Sequence, residues 1–422
     1  MDENSRLTEF RQMKNEIRGS SRYLVVGIDV AKERHHAFFG RSDGRTLLRN
    51  IVFDNTKEGF EKLLFHAEIT KKRHMLETVV FGMEPTADYH KPLAGYLIEK
   101  GYLTVLVAGT AVKRNRELLD GRWDKHDTKD AANIADLVAQ GKCLFCEFPS
   151  PQIQQIRALL SLQRRLKKSE RGCMVRIRNH LIAQYFPELD RYWKYAEGRA
   201  VIGNCFDPPH ITRLSLEEFI PLVASRRGSA AQRVRIREIW HAARRSIGSA
   251  AHQAAVFEAT LLTRQLQTIQ AMIRETDARL HEICSPLPEY PCLVSIPGFG
   301  PEISAMVIGA IGNPHRFENA RQVLKTAGLD LSSSRSGKRS ETPYSISKGG
   351  KAHLRYALYQ AARIASTRNR CFMQYFANTL TGRQRERGIV TKMRVKLAAK
   401  MLVIAWTLMK KKEVFDPGHI TI

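Results

Sequence analysis

The chain has no hydrophobic run long enough to span a bilayer. Its longest late apolar stretch, MLVIAWTLM from Met401 to Met409, falls far short of the roughly 20 residues a membrane helix needs. The first 22 residues, MDENSRLTEFRQMKNEIRGSSR, contain no apolar signal core. Export is therefore not expected, and a cytoplasmic location is. Cysteine is sparse, with seven residues and one CxxC, formed by Cys143 and Cys146. A structural zinc site takes four ligands, so the lone pair implies ordinary reduced thiols. The fourteen histidines include no HExxH, and His35 and His36 are expected at the surface. Internal repeats and long low-complexity tracts are missing as well, so a repeat architecture is out.

The scarcest property is negative charge. Asp and Glu total 42 against 68 Lys and Arg, a formal net charge of +26. Such an excess implies a polyanionic partner, because neutralising phosphates releases counterions. Without a membrane segment, nucleic acid is the expected partner. At 422 residues and 43% hydrophobic content, the chain is long enough for two or three domains with real cores.

Residues 1–22 read as a polar tail or short helix. YLVVGIDVA (Tyr23 to Ala31) is a buried strand, followed by RHHAFFG and TLLRNIVFDNT across an Asp43-Gly44 turn, giving three antiparallel strands. A helix, a strand (LETVVFGMEPT), a helix stopped at Gly101, a strand (LTVLVAG) and a helix ending at Gly141 follow. Residues 23–142 are thus expected to form a βββαβαβα domain. Residues 151–284 turn helical and strongly basic. Leu262, Leu266, Ile269, Ile273, Thr276, Leu280 and Ile283 alternate steps of four and three, an a/d heptad seam that suits an internal hairpin or an intermolecular coiled coil equally. The NCFDPPHITRLSLEEFIPLVASRRGSAAQ segment reads as a loop-rich insertion. SPLPEYP marks a boundary, and residues 288–412 form a third, helical domain before a 413–422 tail.

Four acids carry chemical interest. Asp29 ends the first strand and Glu84 the fourth; Asp127 and Asp130 are three apart on one helix face. An acid on an apolar strand is costly unless something compensates it. If the sheet brings the strand ends together, four carboxylates converge, and hard oxygens in a group suit Mg²⁺ and phosphodiester chemistry. The strand order with acids at these places is the ribonuclease H-like layout. A second motif, LVSIPGFGPEISAMVIGAIG, puts a tight turn with Gly298 and Gly300 between apolar helices. That is a helix-hairpin-helix signature, whose backbone N–H groups face a phosphate. A third stretch, SSSRSGKRSETPYSISKGG (Ser332 to Gly350), is rich in hydroxyls and cations. Its composition alone suits a linker, a phosphorylation target or a hydroxyl meeting a phosphate.

Taken together, VVGIDVAKE, GMEPTADYHKPLAGYLIEKGY, DKHDTKDAANIADL, SIPGFGPEISAMVIGAIGNPHRFENARQVLKTAGL, SGKRS and ISKGGKAHLRYALYQAA resemble one family. It is the DEDD transposases of bacterial insertion sequences (family one-ten), related to the Piv invertases and including the bridge-RNA-guided recombinases. The resemblance covers both terminal domains; the centre matches only in kind.

The resemblance implies an α/β plus all-α chain: an N-terminal ribonuclease H-like (RuvC-like) domain, a central helical or coiled-coil region and a C-terminal helical transposase domain. It implies Mg²⁺ held by Asp29, Glu84, Asp127 and Asp130, and a serine nucleophile at the Ser336-Gly337 step. It further implies strand exchange on double-stranded DNA at element ends and target, guidance by a non-coding bridge RNA, and a homo-oligomer, dimer or tetramer. In such tetramers the acids of one subunit combine with the serine of another. Lys338, Arg339, Lys348 and Arg355 would then hold nucleic-acid backbone near Ser336, with glycines 337, 349 and 350 letting the loop move. Arg164, Arg165, Lys167, Lys168 and Arg171, with Lys410 to Lys412, offer more charge than a short DNA site needs, and RNA would occupy the surplus. The sequence departs from the compact family pattern at Ala87, where many members have Gly, and in its longer middle. The rival readings are a metal-dependent nuclease or Holliday-junction resolvase using the acids alone, and a non-enzymatic nucleic-acid scaffold.

Overall fold

The computed structural model describes residues 3–119, 127–224, 228–332 and 345–420. They form two compact units, Met1–Ser150 and Pro151–Ile422. The first is mixed α/β and the second is helical apart from one short ladder.

The first unit runs α1 (Glu3–Glu16), β1 (Tyr23–Asp29), β2 (Arg34–Arg41), β3 (Thr46–Asp54), α2 (Lys57–Arg73), β4 (Thr78–Met83), α3 (His90–Glu99), β5 (Leu103–Leu106), α4 (Gly109–Leu119), α5 (Asp127–Ala139) and β6 (Leu144–Phe145). The sheet order is β3-β2-β1-β4-β5-β6. β1, β2 and β3 are antiparallel neighbours, β1, β4 and β5 are parallel, and β6 is antiparallel at the edge. β1 is buried on both faces, as a central strand must be. Leu24, Val26 and Ile28 enter one core, and Tyr23 and Val25 enter the other. Gly101 and Gly141 end their helices at φ +83° and +68°, the left-handed conformation that glycine adopts without strain.

Two expectations change here. Of the two readings of the N-terminal stretch, the short helix holds, as α1, and the tail does not. Leu7, Phe10, Met13 and Ile17 are buried in the core shared with β5 and α5, and Arg6 donates to the Cys146 carbonyl at 2.7 Å. His35 is fully buried, packed on Phe53 and Phe60, while His36 is half-buried. Cys143 and Cys146 flank β6 three residues apart, so they enter opposite cores. Burial raises both thiols to about 11, which lowers their thiolate fraction and with it their reactivity.

The second unit begins with α6 (Pro151–Arg176), which continues through a π-helical turn, Ile177–Ile182, into α7 (Ala183–Tyr185). There follow α8 (Ala196–Asn204), α9 (Pro208–Thr212), α10 (Leu216–Val223), α11 (Ala230–Ala243) and α12 (Gln253–Cys284). Next come α13 (Glu289–Val294), α14 (Pro301–Ile311), α15 (Ala320–Ala327), β7 (Leu331–Ser332), β8 (Ser345–Ile346), α16 (Ala352–Arg368), α17 (Arg370–Leu380) and α18 (Ile389–Lys411). The heptad seam packs within the chain: α12 runs antiparallel to α6. Gln163 donates to Asp277, Gln270 to Glu170 at 3.0 Å, and Arg176 makes a bidentate pair with Glu258 at 2.6 and 2.9 Å.

The expected loop-rich insertion is helical. Pro208 and Pro209 occupy the first turn of α9, and Ser215 with Glu218 forms a capping box on α10, so residues read as breakers are starts. These helices bury Phe206, Ile211, Phe219 and Ile236 in a core of their own. The expected break near residue 285 is absent, since Leu280, Cys284, Tyr290 and Leu293 share one core with α14, α16 and α18. Residues 413–420 are not a free tail either. Phe415 stacks on Phe372, its N–H donates to Ser295 Oγ at 2.8 Å, and Ile420 is buried. No helix among the described residues is long and apolar enough to cross a membrane.

Candidate active site

β1 and β4 lie side by side in register, with Gly27 opposite Gly82 and Ile28 opposite Met83. Asp29 ends β1 and Glu84 follows the last residue of β4, so the two acids sit at neighbouring tips, one step beyond the last pair. Alternate residues of a strand share a face, which puts Asp29 on the face of Gly27 and Glu84 on that of Gly82. That face is covered by α5. A Cβ on Gly27 would collide with the Ala131 carbonyl and lie 2.5 Å from Ala135 N; one on Gly82 would lie 2.5 Å from Val138 Cγ2. Two glycines therefore let α5 rest directly on the sheet, and this draws Asp130, next to Ala131, toward the strand tips. Both strands spell glycine, one residue, then acid (GID and GME), and that repeat is the signal the sequence reading missed.

Asp130 is buried at 4% exposure, with Oδ1 2.6 Å from Arg116 Nη2 of α4. The alignment is poor, so neither Asp130 Oδ1 nor Arg116 Nε has a hydrogen bond. A buried carboxylate oxygen held by charge alone is incompletely compensated. α4 is fixed on α5 by amides: Asn115 donates to Asn133 at 2.7 Å and Asp136 at 2.8 Å, and Asn133 donates to the Val112 carbonyl at 2.8 Å. Gly109, the first residue of α4, leaves room for the Glu84 carboxylate; a Cβ there would collide with Glu84 Oε1. A carboxylate beside a helix start is favoured by the helix dipole.

The sheet thus brings Asp29, Glu84 and Asp130 to one end of the unit. Asp127 starts α5, and its side chain lies outside the described residues. Among the described residues no three His, Cys, Asp or Glu side chains gather closely enough to hold an ion. The donor set still fits a hard divalent cation, being all carboxylate with one buried oxygen lacking a hydrogen bond.

In the second unit Ser336, Gly337, Lys338 and Arg339 lie outside the described residues; their flanks do not. Leu331 pairs with Ile346 and Ser332 with Ser345. Beyond that ladder the Ser-Lys-Gly-Gly run docks on the end of α15. The N–H groups of Ser347, Lys348 and Lys351 donate to the carbonyls of Asp330, Gly328 and Thr326 at 2.8, 3.1 and 2.8 Å. Gly350 is here for close approach, not motion: a Cβ would collide with Gly328 N and the Lys325 carbonyl. Lys348 is exposed at φ +55°. Arg355 donates to the Ala327 carbonyl at 2.8 Å, so one arm of its guanidinium closes α15 rather than facing solvent.

Gly298 (φ +91°) and Gly300 form the turn into α14. Gly298 packs on α16, where a Cβ would lie 2.6 Å from the Ala361 carbonyl, whereas Gly300 faces open space. Arg164, Lys167, Lys168 and Arg171 of α6 line a groove with α14 and α16, and Arg165 is exposed outside it. Lys167 pairs with Glu302 at 2.6 Å. Lys410 of the late basic run stacks on Trp406 at 4.7 Å.

Residues 26–187 match a family model of DEDD transposases from IS110 elements, described as Transposase. Residues 290–377 match one described as Transposase IS116/IS110/IS902 family. Two curated relatives align along nearly their whole length. One is an insertion element IS116 uncharacterized 44.8 kDa protein of Streptomyces clavuligerus, 23% identical over 94% of this chain and 96% of its own. The other is an insertion element IS110 uncharacterized 43.6 kDa protein of Streptomyces coelicolor, 22% identical over 93% and 95%. With both ends of the chain matched in order, the protein belongs to the IS110-type family of insertion-sequence transposases.

Proposed function

We propose that this transposase breaks and rejoins DNA through a serine hydroxyl, Ser336, assisted by a RuvC-like carboxylate site. The observation that carries the reading is the pair of glycine-then-acid strand tips, Asp29 and Glu84, under a helix that supplies Asp130 and begins at Asp127. Asp29, Glu84, Asp127 and Asp130 would hold Mg²⁺, which when bound polarises a phosphate and eases proton loss from a hydroxyl. Ser336 Oγ forms a bond to phosphorus while a bridging P–O bond breaks, and the deoxyribose oxygen leaves with a proton. A hydroxyl of the second strand then attacks, the P–Oγ bond breaks and the serine recovers its proton. Lys338, Arg339 and Lys348 balance the phosphate charge, and the turn at Gly298 and Gly300 holds duplex backbone in helix-hairpin-helix fashion.

The large positive excess supports a second polyanion beside duplex DNA, which we assign to a guide RNA carried by a homo-oligomer. The test is a suicide DNA substrate that traps protein joined through serine. Ser336→Ala is expected to lose the adduct and strand exchange while keeping DNA binding. An adduct that survives in this variant and vanishes instead in Ser333→Ala or Ser340→Ala overturns the choice of hydroxyl. Protein purified at moderate salt without a discrete RNA, and not stimulated by one, overturns guidance.

A further inference from the structure

The groove between α6, α14 and α16 has a volume of about 470 Å³, the size of a small-ligand site. One wall carries Arg164, Lys168 and Arg171 on a single face of α6, spanning roughly 10 Å at 1.5 Å per residue. Among the described residues these three cations have no ion pair, while their neighbour Lys167 is held by Glu302. The floor is apolar, built from Ile303 and Met306. The opposite wall presents Tyr356, a residue 66% exposed. An aromatic ring left in solvent beside three unpaired cations has no folding role. It matches the two needs of an unstacked nucleotide, a flat surface for the base and positive charge for the phosphates. A duplex offers no free base face, and nothing acidic other than the already paired Glu302 lines the groove.

We propose that this groove binds an unpaired nucleotide of a single strand, its base on Tyr356 and its phosphates on Arg164, Lys168 and Arg171. The inference rests on the nucleic-acid function proposed above and adds a site for single strands to it.

The test uses the full chain and three fluorescent probes, an oligouridylate 12-mer, an oligothymidylate 12-mer and a duplex of equal length. Tyr356→Ala is expected to weaken single-strand binding by about 5- to 150-fold, the range for losing one stacked base. Tyr356→Phe keeps the ring and is expected to stay within about twofold of wild type. Lys168→Ala is expected to lower the salt slope for single strands by about 0.7. A loss confined to the ribose strand identifies RNA as the occupant, and a loss on both identifies any single strand; either supports the site. Unchanged single-strand affinity in Tyr356→Ala, or an equal loss on duplex, overturns it. If duplex binding and strand exchange persist in that result, only this inference fails. A wild-type chain that binds neither strand nor duplex sinks the transposase reading as well.

Discussion

The two units divide the labour of charge. Residues 1–150 hold 24 Lys and Arg against 22 Asp and Glu, whereas residues 151–422 hold 44 against 20. Of the net +26, the helical unit therefore carries +24 and the sheet unit +2. A carboxylate site buried in a strongly basic unit would be neutralised by its own protein. Placed in a nearly balanced unit, the acids of the proposed site face less competing positive charge. Under the proposed function, the charge that would hold a polyanion and the acids that would act on it lie in electrostatically different parts of one chain. Within the sheet unit Arg116 is the cation that reaches the buried Asp130, at 2.6 Å.

The sharpest way to break this comparison is to remove the acids. Asp29→Asn or Glu84→Gln should lower strand exchange by more than about a hundredfold, since losing even an outer partner of a metal ligand costs about 10–100-fold. DNA binding should stay near wild type, because the helical unit provides the charge. A parallel loss of DNA binding would show that the division is false.

The next test separates packing from chemistry. Gly27→Ala puts a methyl into the backbone of α5 and should destabilise the chain by about 3 kcal/mol. Gly109→Ala meets only the end of the Glu84 side chain. It should change the melting temperature little and reduce strand exchange, because the carboxylate must turn away. Equal melting losses in both would show that the space at Gly109 serves packing rather than the placing of the Glu84 carboxylate. In the helical unit, Gly350→Ala pries the Ser-Lys-Gly-Gly run off α15 and should lower activity with DNA binding intact. Unchanged activity there would free the serine segment from its anchors.

The smallest expected effect comes from His35. Burial holds its imidazole below the usual histidine range, with Asn55 pulling weakly the other way. A base whose folded pKa is depressed takes up its proton first in the unfolded chain. Stability is therefore level above about pH 6.5 and falls as pH drops below it, by less than about 2 kcal/mol at pH 5. His35→Phe should flatten that part of a melting-temperature profile; an unaltered profile would assign the acid loss to other groups.

The succession of strands and helices up to α5 was legible because β1, β4 and β5 are short and apolar, and because α3 and α5 end at Gly101 and Gly141, whose positive φ leaves few alternatives. The burial of α1 was not, since Leu7, Phe10, Met13 and Ile17 are spread through a polar stretch and only the sheet gives them a face. The insertion misled because proline starts a helix as readily as it ends one, and the next turns of chain decide which. For the site, the sequence located acids at strand ends but could not say how near a helix could come. That distance depends on Gly27 and Gly82 being partners across two strands, a fact of register. Gly350 was misread because composition does not distinguish a glycine that moves from one that is crowded.

The antiparallel helices α6 and α12 have one more consequence. The first half of α6 and the last half of α12 belong to one core of the helical unit; their other halves belong to the second. At 26 and 32 residues, they are roughly 39 and 48 Å long. Neither core can melt without stripping half of each rod, so the barrier to partial unfolding is shared. Calorimetry should record residues 151–422 as one cooperative transition, with an enthalpy that belongs to both cores together.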